Sequence, residues 1–252
     1  MNIPKNRFKE SLLKNQHQKG LWLTLASSYS TEALAGAGFD WLLLDMEHSP
    51  NEMDTILAQL QVLAAYPVNA VVRPVWNDPL LIKRLLDIGV QTLLLPYVQN
   101  ALEAEQAVRS MRYAPQGIRG VSSVTRATHF GRVKDYMKGC EEELCLLVQI
   151  ETQVSLDHLE AIANVDGVDG VFIGPADLSA SLGFPGQQDH PIVIKTIEDA
   201  IKRIRACGKG AGILTADKKL AKHYINAGTT FTAVGVDAAL LARAAEALAK
   251  EF

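Results

Sequence analysis

A single closed (β/α)8 barrel is the fold this sequence predicts, and three observations carry the prediction. The chain contains eight short apolar runs without polar alternation, the pattern of parallel strands buried on both faces. A stretch of helical character follows each run, so strand and helix alternate eight times. No linker or composition shift interrupts the alternation, and 252 residues is an ordinary length for one barrel. Residues 1–252 are therefore expected to form one barrel domain. An open doubly wound sheet is the competing architecture, but eight regular units with none missing favour closure.

In order, Gly20 to Leu25 is the first strand, and Ser28 to Ser30 supply caps for a helix that stops at Gly36 and Gly38. Trp41 to Met46 is the second, with a helix from about Asn51 to Ala65. Ala70 to Pro74 is the third; Asn77-Asp78-Pro79 then opens a helix with a cap residue and a first-turn proline, and Gly89 closes it. Thr92 to Pro96 is the fourth, with a helix over Ala101–Met111 and a long connection from Tyr113 to Gly139 that is expected to hold one short helix. Leu144 to Glu151 and Gly170 to Asp177, each an apolar run ending in a carboxylate, are strands five and six, followed by helices near Leu156–Ala163 and Leu178–Leu182. A long helix, Pro191 to Cys207, leads to strand seven at Gly212–Thr215; Lys218–Ala227 is helical, Phe231–Gly235 is strand eight, and Ala238–Lys250 is a final helix.

The bulk properties narrow the function. A hydrophobic content of 48% with 21% charged residues is globular, and a net charge of -3 offers no basic footprint for nucleic acid or a membrane surface. Cys140, Cys145 and Cys207 are odd in number and lack C-x-x-C spacing, which fits a reducing compartment. The polar start from Met1 to Lys19 has no signal-peptide core and no run reaches membrane-spanning length, so a cytoplasmic protein with a small ligand is expected.

In a barrel the carboxyl ends of all strands meet on one face, where active sites lie. Collected there are Asp45, Glu47 and His48; Arg73; Pro96; Gln149 and Glu151; Gly174, Ala176 and Asp177; Leu214 and Thr215; and Asp237. Glu151 and Asp177 end neighbouring strands, and two adjacent carboxylates repel unless a cation lies between them. With the remaining positions left to water and substrate, the pair suits Mg2+, Mn2+ or Co2+ better than a closed zinc site. Helix capping is the plainer reading and fits Asp177 better than Glu151. Arg73 is either a structural ion pair or a fixed cation for an oxyanion. His48 is either a packing residue or a general acid-base, a role its charged neighbours favour. Gln149 is either a core amide or a ligand donor, and the turn at Gly174 to Asp177 either an ordinary turn or a carboxylate site. Gly117-Ile118-Arg119-Gly120 is expected on a loop reaching over the site. Gly208 to Gly212 precedes a strand instead of following one, which is the wrong context for a nucleotide loop. No assigned strand carries an interior lysine, which argues against Schiff-base chemistry and leaves metal activation of a carbonyl.

The sequence also resembles a known family, the class II metal-dependent pyruvate aldolases of the 4-hydroxy-2-oxo-heptane-1,7-dioate type. The resemblance runs from Gly20 to Glu246. It rests on Ala35 to Trp41, Val72-Arg73-Pro74, Trp76 to Pro79, Gly117 to Gly120, Val148 to Thr152 and Val171 to Ser179. It implies retro-aldol cleavage of a 4-hydroxy-2-oxo acid, in the type case 4-hydroxy-2-oxoheptanedioate to pyruvate and succinic semialdehyde. A sugar-derived 2-oxo-3-deoxy acid, or an acyl-CoA or phosphoenolpyruvate-like substrate, is the alternative. The resemblance further implies that Glu151 and Asp177 hold the metal with Asp45 near it through water, and that pyruvate chelates the metal. The backbone at Ala176 and Asp177 and the side chain of Gln149 would help hold pyruvate, and Arg73 would stabilise the enolate oxygen. His48 would move protons, paired with Asp87 of a neighbouring subunit; Leu214 would line the aldehyde pocket, with Trp22 near the site. A trimer of dimers with an exchanged C-terminal helix is the assembly implied. Met46 stands where the relatives carry glycine, and its bulk is expected to bear on the packing around His48. The loop after Gly120 is a residue shorter, and both departures bear on substrate preference.

Overall fold

The computed structural model describes all 252 residues. Eight parallel strands close in chain order, with β8 returning to pair with β1. They are β1 Gln18–Leu23, β2 Trp41–Asp45, β3 Asn69–Arg73, β4 Thr92–Leu95, β5 Cys145–Ile150, β6 Gly170–Ile173, β7 Gly210–Leu214 and β8 Phe231–Val236. Ahead of β1 lies α1, Arg7–Leu13; α2 Ser28–Ala35, α3 Met53–Leu63, α4 Pro79–Asp87, α5 Ala101–Met111 and α6 Tyr136–Glu143 follow in turn. The second half carries α7 Gln153–Asp157, α8 Leu159–Ala163, α9 Pro175–Ser181, α10 Pro191–Ala206, α11 Lys218–Ala227 and α12 Asp237–Ala249. No helix is long and apolar enough to cross a membrane.

The expected punctuation sets the helix ends. Asp78 caps α4 through its carboxylate, which accepts from the Leu80 and Leu81 amides at 2.8 and 2.9 Å with Pro79 in the first turn. Gly228 ends α11 in the left-handed region, at φ 118°. Three elements differ from the sequence reading. The helix expected over Leu156–Ala163 is two short ones, because a Thr152/Ser155 capping box starts α7 early and His158 turns the chain before α8. Pro175 starts α9 three residues ahead of Leu178. Helix α1 was absent from the reading altogether, although Asn6 caps it by accepting from the Lys9 amide.

Two cores result. Outward-facing residues of the strands and inward faces of the helices make one of 46 buried residues. The other fills the barrel itself and includes Trp22, Trp41, Leu43, Val71, Leu94, Leu147, Phe172 and Phe231. Phe8 of α1 closes the amino end, edge-on to Trp41 and Phe231 with ring centroids 5.9 and 5.7 Å away. The aromatic filling depends on glycine: a Cβ on Gly20 would lie 2.1 Å from the Trp41 ring, and one on Gly212 2.1 Å from that of Phe231. Lys19 is the one strand lysine and it is exposed, so no lysine points into the barrel.

The connection from 112 to 135 corrects an expectation. Helix α5 has already returned the chain to the amino end, where β5 must begin, so this segment lies on the face opposite the strand carboxyl ends. Arg119 there donates to Asp87 at 3.2 Å, and the Ala127 amide donates to the Asp87 carbonyl at 3.1 Å. Gly117 to Gly120 do not reach over the site of their own barrel.

Candidate active site

Side chains on a strand alternate between barrel interior and exterior, so the inward row can be followed to the rim. Trp41 and Leu43 are interior, which sends Asp45 inward; Val71 does the same for Arg73, and Leu147 for Gln149 and Glu151. Asp45 pairs in register with Arg73, and Ile150 with Ile173. Four polar groups thus enter the site by parity, and each is at least 93% buried, Arg73 being the least at 7% exposure.

Arg73 is clamped on two carboxylates. Its Nε and Nη2 donate to Asp45 Oδ1 and Oδ2, both at 2.8 Å, in a fork matched to the carboxylate. Its Nη1 lies 2.7 Å from Glu47 Oε2, an ion pair without hydrogen-bonding alignment. The guanidinium sits 4.9 Å over the Trp22 ring, whose indole N–H donates to Asp45 at 3.2 Å. Trp22 therefore reaches the site through Asp45. Arg73 is thus ion-paired, and it lies at the strand-end mouth.

Glu151 is 2% exposed. Its Oε1 accepts from the Tyr97 amide at 3.0 Å and its Oε2 from the Gln149 side chain. Burial pushes its carboxyl up to about 7, and Asp177 and Glu47 push the same way against the hydrogen bond from Gln149. Gly174 makes room for it, since a Cβ there would come within 2.5 Å of Oε2. Asp177 and Ala176 lie exposed in the first turn of α9, and the Asp177 carboxylate accepts no hydrogen bond. Burial also raises Glu47, against the pull of Arg73 and His48. Sequence reasoning had given Glu47 no role. It also missed Tyr97, which acts through its main chain and leaves no mark in residue type; its φ of 56° is the structural trace.

The other sequence candidates separate. His48 is two-thirds exposed, with Nε2 3.9 Å from Glu47 Oε2. Its loop is anchored by Asn51, which donates to the Asp45 carbonyl at 2.7 Å. Leu214 packs at the rim of the barrel core. Met46 points away from the site into the outer core, which corrects the expectation that its bulk would bear on His48. Asp237 is consumed in structure, accepting from the Thr24 amide and hydroxyl at 2.8 and 2.9 Å and from the Leu25 amide at 3.2 Å. Asp87 ends α4, and its nine residues at about 1.5 Å each put it roughly 13 Å from the strand-end face. It does not meet His48 within one chain.

The donor set fits a divalent cation. Asp45, Glu47, Glu151 and Asp177 set four carboxylates against one guanidinium, and burial pushes two of the four, Glu47 and Glu151, toward the neutral form that a bound cation would reverse. Gln149 Oε1 is buried with no donor. No three His, Cys, Asp or Glu side chains converge as a ready-made centre. Carboxylate oxygens with open positions suit a hard, water-keeping ion.

The chain is similar to known proteins over nearly its whole length. The chain is 60% identical over 252 residues to the pyruvate aldolase of Rhizobium etli, covering all of this chain and 99% of that one. It is 58% identical to the 4-hydroxy-2-oxo-heptane-1,7-dioate aldolase of Salmonella dublin, covering 98% and 95% of the two chains. A crystal structure of a family protein from Burkholderia cenocepacia superimposes with a TM-score of 0.95 at 38% identity, over 98% and 99%. The model of the HpcH/HpaI aldolase/citrate lyase family matches residues 18–244. The chain belongs to that family and is an aldolase, a carbon–carbon lyase.

Proposed function

We propose that this enzyme breaks the C3–C4 bond of 4-hydroxy-2-oxo acids to give pyruvate and an aldehyde. Its substrate in this reading is the 4-hydroxy-2-oxo-heptane-1,7-dioate that names its Salmonella relative, and succinic semialdehyde is the aldehyde. The observation that carries the reading is the buried, doubly clamped Arg73 among carboxylates that outnumber it. Such a group does not reorganise as charge develops beside it, which is the condition for electrostatic catalysis.

Glu151 and Asp177 are the residues that would hold Mg2+, Mn2+ or Co2+, and the ion supplies Lewis-acid polarisation of the C2 carbonyl when bound. The free N–H groups of Ala176 and Asp177, in the first turn of α9, take the substrate C1 carboxylate. The second amide hydrogen of Gln149 remains for the same ligand once its partner has gone to Glu151. His48 accepts the C4 hydroxyl proton, and the nearby Glu47 carboxylate stabilises the imidazolium formed. As the C3–C4 bond breaks, its electrons move to the C2 oxygen and Arg73 meets that charge. Return of the proton to C3 releases pyruvate. Leu214 bounds the aldehyde side, and Trp22 and Asp45 keep Arg73 in place.

Asp87 serves a neighbouring subunit's His48 in this reading, since the length of α4 separates it from its own. Helix α12 supports an assembly with an exchanged C-terminal helix, the trimer of dimers, because Leu240, Leu241 and Leu248 are 51%, 61% and 59% exposed. A lyase assay coupled to pyruvate detection, over a panel of 4-hydroxy-2-oxo acids with and without chelator, tests the whole. Full activity after exhaustive EDTA dialysis, or a borohydride-trapped pyruvate adduct on lysine, overturns it.

A further inference from the structure

A cavity of about 580 Å3 opens at the amino end of the barrel, away from the strand carboxyl ends. Its walls are the α3–β3 corner, the segment before α1, the turn between α4 and β4, the loop from Arg126 to Phe130 and α6. That volume falls within the range of about 300–1,000 Å3 found for small-molecule sites. None of its 21 lining residues is acidic, and three of them are Lys5, Arg7 and Arg126. Lys5 is already neutralised by Glu143, but Arg7 and Arg126 enter no ion pair.

Arg126 is the informative group. It is half-buried, and its Nη1 and Nη2 donate to the carbonyls of Ile88 and Leu60 at 2.7 and 3.2 Å. Both acceptors are neutral, so its charge is positioned but not balanced. Burial draws its pKa below the ordinary arginine value, and no carboxylate opposes that. A guanidinium fixed in a cavity without a counter-ion costs stability unless an anion joins it. Around it the walls are mostly apolar, with the rings of Tyr66, Phe130 and Tyr136 among them.

We propose that this cavity binds a small aromatic carboxylate, whose anionic group pairs with Arg126 and Arg7 while its ring packs among Tyr66, Phe130 and Tyr136. Charge sets the sign of the ligand, and the aromatic walls set its body. No lining residue belongs to the aldolase centre of its own chain, although Ala127 and Arg126 bond to the carbonyls of Asp87 and Ile88, and Asp87 faces a neighbouring subunit's centre in the assembly proposed above.

Calorimetric titration of the whole enzyme with 1-naphthoate tests this. Saturable binding at one molecule per chain is expected, and uncharged 1-naphthalenemethanol should bind at least about tenfold more weakly, the scale of a charge-assisted hydrogen bond. Arg126→Met should weaken naphthoate at least about tenfold, and Arg126→Lys should restore much of that loss. Ala64→Trp, at an exposed position on the cavity wall, should block binding by filling the space while Arg126 itself is retained. Pyruvate with Mn2+ at saturation should leave naphthoate affinity unchanged. Absence of saturable binding, equal binding of the alcohol, displacement by pyruvate, or full affinity in either Arg126→Met or Ala64→Trp overturns the proposal.

Discussion

Replacing Arg73 by alanine removes three charged contacts at once, those to both oxygens of Asp45 and the one to Glu47. The kinetic consequence follows from the loss of one preorganised donor at a developing oxyanion, about 10²–10³-fold in kcat. The structural consequence is smaller than the burial of Asp45 suggests. Asp45 keeps the Trp22 indole and the Glu47 amide as donors, at 3.2 and 3.0 Å, so it is not stranded. A cost of about 1–3 kcal/mol is expected, which for a chain of this size lowers Tm by roughly 2–12 °C. The variant should therefore fold, bind Mn2+ within a few-fold of the parent by calorimetry, and fail in the pyruvate-coupled lyase assay. Arg73→Lys keeps the charge and loses the fork, so it should recover only part of the rate. Turnover of Arg73→Ala within about threefold of the parent, at saturating metal, would refute the assignment. Loss of metal binding in step with activity would instead make Arg73 a scaffold for the carboxylates.

Four further outcomes follow from the structure. The carboxyl of Glu151, pushed up to about 7 by burial, is raised from the ordinary glutamate value of about 4.5, so its contribution to the stability of the metal-free protein is fully present below about 4.5. It should lose up to about 3 kcal/mol as pH rises from 4.5 through 7, and Glu151→Gln should flatten that slope in urea titrations. Because the ligand must be ionised, Mn2+ affinity should rise about tenfold per pH unit up to 7 and level off above it. Gly174→Ala puts a methyl group 2.5 Å from Glu151 Oε2, so it should weaken Mn2+ binding by about 10–100-fold, whereas Gly36→Ala, with nothing within 4 Å, should be neutral. Phe8→Ala empties the plug at the amino end, where Phe8 is 0% exposed, and should cost about 3–5 kcal/mol in denaturant while the folded fraction keeps its turnover.

The difference between legible and hidden features is physical. Asp45, Arg73, Gln149 and Glu151 were legible because a buried strand repeats every two residues and each sits in phase with an apolar interior row. Asp177 was legible because Gly-Pro-Ala-Asp ends a strand and opens a helix turn. Helix α1 was not, since its two buried residues, Phe8 and Leu12, find their partners on strands far away in sequence. The face that Gly117 to Gly120 occupy was hidden because it depends on the end of the barrel at which α5 leaves the chain, which no local pattern in the loop marks.

Local pattern alone thus determined eight strands, their order and which residues arrive at the rim, because periodicity and chain direction are properties of the string. Tertiary structure alone decided how those residues engage. It joined Arg73 to both Asp45 and Glu47, turned the Tyr97 amide onto Glu151, carried Asp87 to the far end of α4 and left Arg126 without a counter-ion in its cavity. Each of these depends on distances between segments that closure brings together, and no spacing along the chain encodes them.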